Sequence, residues 1–381
     1  LRALTRCPSD AQSRPAAAPR DSMAAVYRLL RPALFTLEPE TAHGLAMRAA
    51  SAVARSSFAR RWLERSVRKD DPRLRVEAFG LSFPSPLGLA AGLDKDADAL
   101  PFWSALGFGH VEIGTVTARA QPGNPRPRVA RLRADHAIVN AMGFPSIGAD
   151  ALAGRLEAWR RRGAWPDVPV IVNVGKSREV PIEDATHDYL TSVRTLLPYA
   201  DAIAINVSSP NTPGLRGLQD EAPFEALLRA VRAAAGDTPV LVKLAPDLSD
   251  RSLRRLAALC EETSMHGIVA TNTTVSRAGL RLDPGASGGL SGPPLAPRAL
   301  QVLRVLRDAT ALPIVSVGGI DGPAEAIRRL EAGADLLQVY TGLIYEGPGL
   351  PRRIADGIAD ELDRRGLRHV RELRSEARSV G

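Results

Sequence analysis

The side chains able to do chemistry recur at one kind of place, just after a short apolar run. Lys95 follows the first such run, in Ala90-Ala91-Gly92-Leu93-Asp94-Lys95. Thr115 closes the second and Asn173 the third. The fourth ends in Asn206-Val207-Ser208-Ser209-Pro210-Asn211-Thr212-Pro213-Gly214. Lys243 closes the fifth, and Thr271-Asn272-Thr273-Thr274 follows the sixth. Glycines mark the rest: Gly288-Gly289-Leu290-Ser291-Gly292, Gly318-Gly319 and Tyr340-Thr341-Gly342. Lysines with several amides and hydroxyls, and almost no carboxylates, suit an anionic, planar, amide-rich ligand. Asparagine amides match the imide edges of pyrimidines and flavins. Paired glycines let backbone approach a phosphate. No His, Cys and Asp residues have metal-ligand spacing, so no metal is expected.

These groups need a scaffold that brings many strand ends to one place. Eight short β-rich runs occupy residues 87–90, 111–116, 170–174, 202–207, 240–244, 267–271, 314–317 and 336–340. Helical patterns lie between them at 149–162, 183–197, 223–235, 252–262, 297–309 and 323–332. Alternation of this kind implies parallel strands joined by helical crossovers. Runs such as Val168-Pro169-Val170-Ile171-Val172-Asn173-Val174 are apolar on both faces, as strands covered on both sides are. The α/β class predicted is a (β/α)8 TIM barrel with a small N-terminal helical domain. A doubly wound open sheet is the rival, but it concentrates its phosphate loop in the first turn. Here polar residues end nearly every strand. Residues 128–133 and 137–142 read as extra β segments over the barrel mouth. A short β pattern at 76–83 turns at Gly80.

Four segments are expected: a disordered leader at 1–22, a helical segment at 23–70, the barrel at 71–365 and a polar tail at 366–381. Residues 24–30 and 40–55 show helical spacing, punctuated by Pro32 and Pro39. Between Met23 and Lys69 there are nine Lys/Arg against three Glu, together with the apolar residues Leu29, Leu30, Leu34, Phe35 and Leu37. A basic amphipathic segment reads as a membrane-surface element. The whole chain of 381 residues carries a net charge of +8, which favours anionic partners. With 45% hydrophobic residues it can bury a large core. No run of 18 apolar residues is present, so no helix is expected to span a bilayer. Cys7 and Cys260 do not suggest a disulfide framework.

The stretches AAGLDKD (90–96), EIGTVT (112–117), NAMGF (140–144), NVSSPNTPGLR (206–216), VKLAPD (242–247), ATNTT (270–274), GGLSGPPL (288–295) and SVGGI (316–320) resemble those of dihydroorotate dehydrogenases. The likeness runs from residue 24 to about 350. Ser209 stands where soluble members carry cysteine, so the resemblance is to the quinone-dependent, membrane-associated class. It implies FMN held by Ala91, Gly92, Leu93, Asp94, Lys95, Thr115, Asn173, Asn206, Lys243 and Thr271, with its phosphate at Gly292, Gly319, Tyr340 and Thr341. It implies that dihydroorotate meets Lys95, Asn140, Ala141, Met142, Gly143, Phe144, Asn206, Asn211, Asn272 and Thr273. Ser209 would be the base, aided by water and a threonine, and Lys243 would stabilise charge on the reduced flavin. His43 and Arg131 would face the quinone, with Tyr340 nearby. Ala130 and Ala141 depart from the family pattern, where many members carry an aromatic residue and arginine.

The expected activity is therefore oxidation of dihydroorotate to orotate in pyrimidine synthesis, with electrons passed to a membrane quinone. The expected place is the cytoplasmic face of the bacterial inner membrane, in peripheral contact with anionic lipid. Two other readings stay open. One is a soluble FMN barrel using fumarate or NAD. The other is a non-catalytic basic barrel that binds nucleic acid, which the lack of aromatic residues, 4% of the chain, disfavours.

Overall fold

The computed structural model describes residues 20–283 and 285–374. The expected leader at 1–22 and the end of the expected tail lie largely outside them. The chain opens with three helices: α1 (Arg20–Leu34), α2 (Pro39–Arg55) and α3 (Ser57–Val67). Sequence reading placed a break at Pro32, but α1 runs through it and ends two residues later. Proline removes one donor, and its ring crowds the carbonyl four residues back. Contacts to the barrel offset that cost. Tyr27 Oη donates to Ile344 O at 2.5 Å, and Arg31 Nη1 donates to Tyr345 O at 2.7 Å. Pro39 sits at the first turn of α2, where its missing N–H costs nothing.

A hairpin of β1 (Val76–Ala78) and β2 (Leu81–Phe83) follows, antiparallel through Ala78 opposite Leu81. Eight strands then close a parallel barrel. In ring order they are β3 (Leu87–Leu89), β4 (His110–Val116), β7 (Val170–Val174), β8 (Ala202–Asn206), β9 (Val240–Leu244), β10 (Gly267–Ala270), β12 (Ile314–Val317) and β13 (Leu336–Val339), which returns to β3. Every residue of these eight strands is buried. One side meets the outer helices and the other fills the barrel, so the (β/α)8 expectation holds. The outer ring includes α5 (Ala149–Arg161), α6 (Ala185–Leu196), α7 (Glu221–Ala235), α8 (Asp250–Glu262), α9 (Ala296–Ala309), α10 (Pro323–Glu331) and α12 (Leu350–Arg365). Two further short helices, α4 (Leu100–Ala105) and α11 (Thr341–Glu346), follow β3 and β13.

Three remaining strands form a separate antiparallel sheet in the order β11-β6-β5: β11 (Gly289–Ser291), β6 (Ala137–Asn140) and β5 (Val129–Leu132). The extra segments expected near 128–142 are β5 and β6. The strand at 289–291 was not expected. In it Gly289 pairs with Asn140 and Ser291 with Ile138. A Cβ on Gly289 would lie 1.9 Å from Thr273 Oγ1, so glycine is needed for that close packing.

Candidate active site

The strand ends meet in a single cavity of about 760 Å³ at the C-terminal face of the barrel. Register explains why. Asn206 on β8 lies opposite Lys243 on β9, and Lys243 lies opposite Val269 on β10. Residues paired in register on neighbouring parallel strands point to the same side of the sheet, so Asn206 and Lys243 both reach the cavity.

A continuous hydrogen-bonded network forms the floor. Thr115 Oγ1 donates to Asn173 Oδ1 at 2.5 Å. Asn206 Nδ2 donates to Thr115 Oγ1 at 2.9 Å and to Asn173 Oδ1 at 3.3 Å. Asn272 Nδ2 donates to Asn206 Oδ1 at 3.2 Å and to Ser208 Oγ at 3.0 Å. Tyr189 Oη on α6 donates to Asn206 O at 2.8 Å, which holds the start of the Ser209 loop. Such a satisfied buried network gives each amide one orientation.

Ser209 follows β8 and is buried at the cavity wall. Its Oγ accepts from Asn211 N at 3.2 Å. Asn211 Nδ2 donates to Asn140 Oδ1 at 3.0 Å, joining this loop to β6. Asn211 Oδ1 and Thr212 Oγ1 are both buried with no partner in the protein. An unsatisfied buried acceptor is costly unless a ligand or water completes it.

Most residues singled out in the sequence line this cavity. From the cofactor group these are Ala91, Gly92, Leu93, Lys95, Thr115, Asn206, Lys243, Thr271, Gly292, Gly319, Tyr340 and Thr341. Asn140, Met142, Gly143, Phe144, Asn211, Asn272 and Thr273 line it from the substrate group, and His43 and Arg131 from the helical side. Three residues do not line it. Asp94 turns away: it accepts from Asp98 N at 2.7 Å, Ala99 N at 3.0 Å and Trp103 Nε1 at 2.8 Å, so it braces the Lys95 loop instead of meeting a ligand. Asn173 sits behind Thr115 and Asn206. Ala141 holds the wall through its backbone, its N–H donating to Arg128 O at 2.8 Å and its carbonyl accepting from Asn124 Nδ2 at 2.8 Å.

Sequence reading missed one group. Glu112 on β4 is fully buried, with Lys243 Nζ 3.4 Å from both its oxygens and Asn173 Nδ2 donating to Oε1 at 2.6 Å. An acid inside the run His110-Val111-Glu112-Ile113-Gly114-Thr115 must find a buried cation, and Lys243 was already in view.

At the other end the cavity continues between α1, α2 and the sheet. Tyr27, Leu34, Phe35, Ala46, Met47 and Val53 line this passage. Arg131 packs its guanidinium 4.7 Å from the centre of the Phe35 ring, a cation–π contact. Burial pushes the His43 imidazole down to about 4, with nearby Lys95 acting in the same direction. Burial also lowers Lys95, against the pull of Asp96, and raises the Tyr340 phenol to about 12. Tyr340 Oη and Lys95 Nζ both donate to Gly92 O, at 3.3 and 2.7 Å. These contacts stand where the barrel mouth meets the passage. No helix among the described residues is long and apolar enough to cross a membrane.

Residues 73–362 match the family model described as dihydroorotate dehydrogenase. The chain belongs to the dihydroorotate dehydrogenase family. It is an oxidoreductase and resembles the quinone-named branch of that family. It is 52% identical over 340 residues to a dihydroorotate dehydrogenase (quinone) of Clavibacter michiganensis, covering 87% of this chain and 97% of the relative. A protein of the same name from Mycobacterium tuberculosis is 50% identical over 361 residues, with 93% and 99% covered. One from Thermus thermophilus is 49% identical over 344 residues, with 90% and 98% covered. Among solved structures, dihydroorotate dehydrogenase of Eimeria tenella in complex with ferulenol superposes with a TM-score of 0.80 at 34% identity. It covers 90% of this chain and 97% of the other.

Proposed function

We propose that this member of the family oxidises dihydroorotate to orotate with FMN as its resident cofactor, and passes the electrons to a membrane quinone. One observation carries the proposal: a single cavity joins the amide-lined barrel mouth to an apolar passage between α1, α2 and the sheet. A soluble electron acceptor would have no use for such a passage.

The residues fit FMN. Amides and a lysine at the floor match the edge of the isoalloxazine ring. Gly292 and Gly319 line the cavity, and a Cβ there would come within 2.7 Å of His136 O or 2.6 Å of Ala296 Cβ, so only glycine fits at either position. With Thr341 they would hold the phosphate. When bound, FMN supplies a two-electron acceptor for hydride from substrate C6 and a donor to the quinone.

Dihydroorotate would lie over Asn140, Asn206, Asn211, Asn272 and Thr273, with Lys95 facing its carboxylate. The Asn211 oxygen that lacks a protein partner would accept an imide N–H. Ser209 would take the C5 proton as hydride leaves C6, so that the C5–C6 double bond of orotate forms. Serine is a weak base and needs the proton passed on. Thr212, three residues later with an unpartnered buried hydroxyl, and a water would carry it away. His43 and Arg131 would receive the quinone head. The basic, apolar helices α1 to α3 would rest on the anionic cytoplasmic face of the bacterial inner membrane without crossing it.

The test is spectroscopic. The purified protein should be yellow, anaerobic dihydroorotate should bleach it, and a ubiquinone analogue should restore the colour faster than fumarate or NAD. A colourless protein, or one reoxidised best by NAD or fumarate, would overturn the proposal.

A further inference from the structure

We infer that Glu112 is a positioning residue that sets the charge Lys243 presents to the flavin, and thereby the flavin's reduction potential. This rests on the FMN reading above. Lys243 lines the cavity, whereas Glu112 stands directly behind it. The two side chains are 6% and 0% exposed. Their charges are therefore weakly screened by solvent, and each acts on neighbours through a low effective dielectric.

The consequence follows from charge. Reduction of a flavin adds negative charge to its ring, which a cation beside it favours and an anion opposes. Lys243 alone would act as a unit positive charge at the cavity floor. With Glu112 3.4 Å behind it, the pair acts as a dipole with its positive end toward the cavity. Glu112 thus moderates the lysine and holds the potential lower than Lys243 alone would set it. A flavin held at lower potential keeps more driving force for passing electrons to a quinone.

Glu112 also fixes polarity in the floor. It accepts from Asn173 Nδ2 at 2.6 Å, which turns Asn173 Oδ1 toward Thr115 and Asn206. Asn206 Nδ2 is spent on that side, so Asn206 Oδ1 faces Asn272 and Ser208. Three amides that line or back the cavity therefore take their orientation from one carboxylate. Glutamine at 112 could keep the accepting oxygen while losing the charge, which separates the two roles.

The experiment is a spectroelectrochemical titration of the FMN-loaded full chain as wild type, Glu112→Gln, Lys243→Gln and the double variant. The potential should shift positive in Glu112→Gln and negative in Lys243→Gln. In the double variant, where the net charge of the pair is again zero, it should return close to wild type. A merely structural role would lower FMN retention without ordering the potentials this way. A Glu112→Gln protein that holds FMN at the wild-type potential overturns the inference. Should that variant not fold, the double variant still decides, because a potential as negative as Lys243→Gln alone would leave Glu112 no part. A wild-type preparation that binds no FMN would instead defeat the functional reading on which the inference rests.

Discussion

Glu40 of α2 and Arg128 of the loop before β5 meet in a forked ion pair. Arg128 Nη2 lies 2.9 Å from Oε1, and Nε lies 3.1 and 3.2 Å from the two oxygens. The same guanidinium donates to Asn124 O at 2.9 Å. Asn124 Nδ2 in turn donates to Ala141 O at 2.8 Å and to Asn211 O at 3.2 Å. The first turn of α2 is thus linked to the loop that carries Asn211 and Ser209.

Breaking that fork should loosen both ends. Glu40→Gln would leave a guanidinium only 7% exposed without its carboxylate, a change that costs about 3 kcal/mol when such a pair is well buried. The expected result is a lower denaturation midpoint and faster hydrogen exchange in α2. Replacing both partners by apolar residues should recover most of the stability, because the one charge left unpaired, Arg126, is exposed to water. Unchanged exchange in α2 would show that the fork does not hold the segment.

Ser209→Ala should keep FMN and lose flavin reduction. The Ser209 hydroxyl receives one hydrogen bond, from Asn211 N, so its removal disturbs little else. General-base groups contribute roughly 10²–10⁴-fold, and stopped-flow reduction by dihydroorotate should slow by that order. Thr212→Val should slow the same step with FMN affinity unchanged. Reduction of Ser209→Ala at the wild-type rate would remove Ser209 as the base.

The barrel was legible in the sequence because its strands are apolar on both faces. Val170–Val174, Val240–Leu244 and Ile314–Val317 begin and end where the pattern does. The floor was legible because Asn206 and Lys243 interrupt such runs at their ends. Asp94 was harder. Its neighbour Lys95 faces the cavity, but Asp94 bonds two backbone N–H groups and the Trp103 indole, and local spacing does not reveal that competition. Glu112 was missed because its partner lies 131 residues away. Pro32 looked like a stop because the hydrogen bonds from Tyr27 and Arg31 to α11, which steady the helix through it, cannot be seen from α1 alone.

His43 should make stability depend on pH in a defined window. Its imidazole is held at about 4 in the fold, mainly by burial, against roughly 6.5 when unfolded. Between those values the unfolded chain binds a proton that the folded chain does not, so stability falls as pH drops. The contribution is fully present above about 6.5 and is lost as pH falls through 4. His43→Phe should therefore flatten the stability profile between pH 6.5 and 4 relative to wild type. NMR titration should find the His43 ring neutral at pH 5.5. A His43 that titrates near 6.5 in the folded protein would contradict this.

The helical segment should carry membrane contact separately from catalysis at the barrel. Seven of the ten large apolar side chains exposed among the described residues lie in it or its connecting loop: Val26, Leu29, Leu30, Leu37, Leu45, Phe58 and Trp62. Phe58 and Trp62 are four residues apart on α3, so they share a face, and Arg55, Arg61 and Arg65 are exposed beside them. Apolar side chains rimmed by arginines suit the boundary between headgroups and acyl chains. Phe58→Ser with Trp62→Ser should abolish most sedimentation with vesicles containing phosphatidylglycerol. The same protein should keep its FMN and its anaerobic reduction by dihydroorotate, since neither residue lines the cavity. Binding should also weaken as salt is raised, because the arginine contribution is screened. Vesicle binding that survives both substitutions and high salt would move the membrane contact to another face of the molecule.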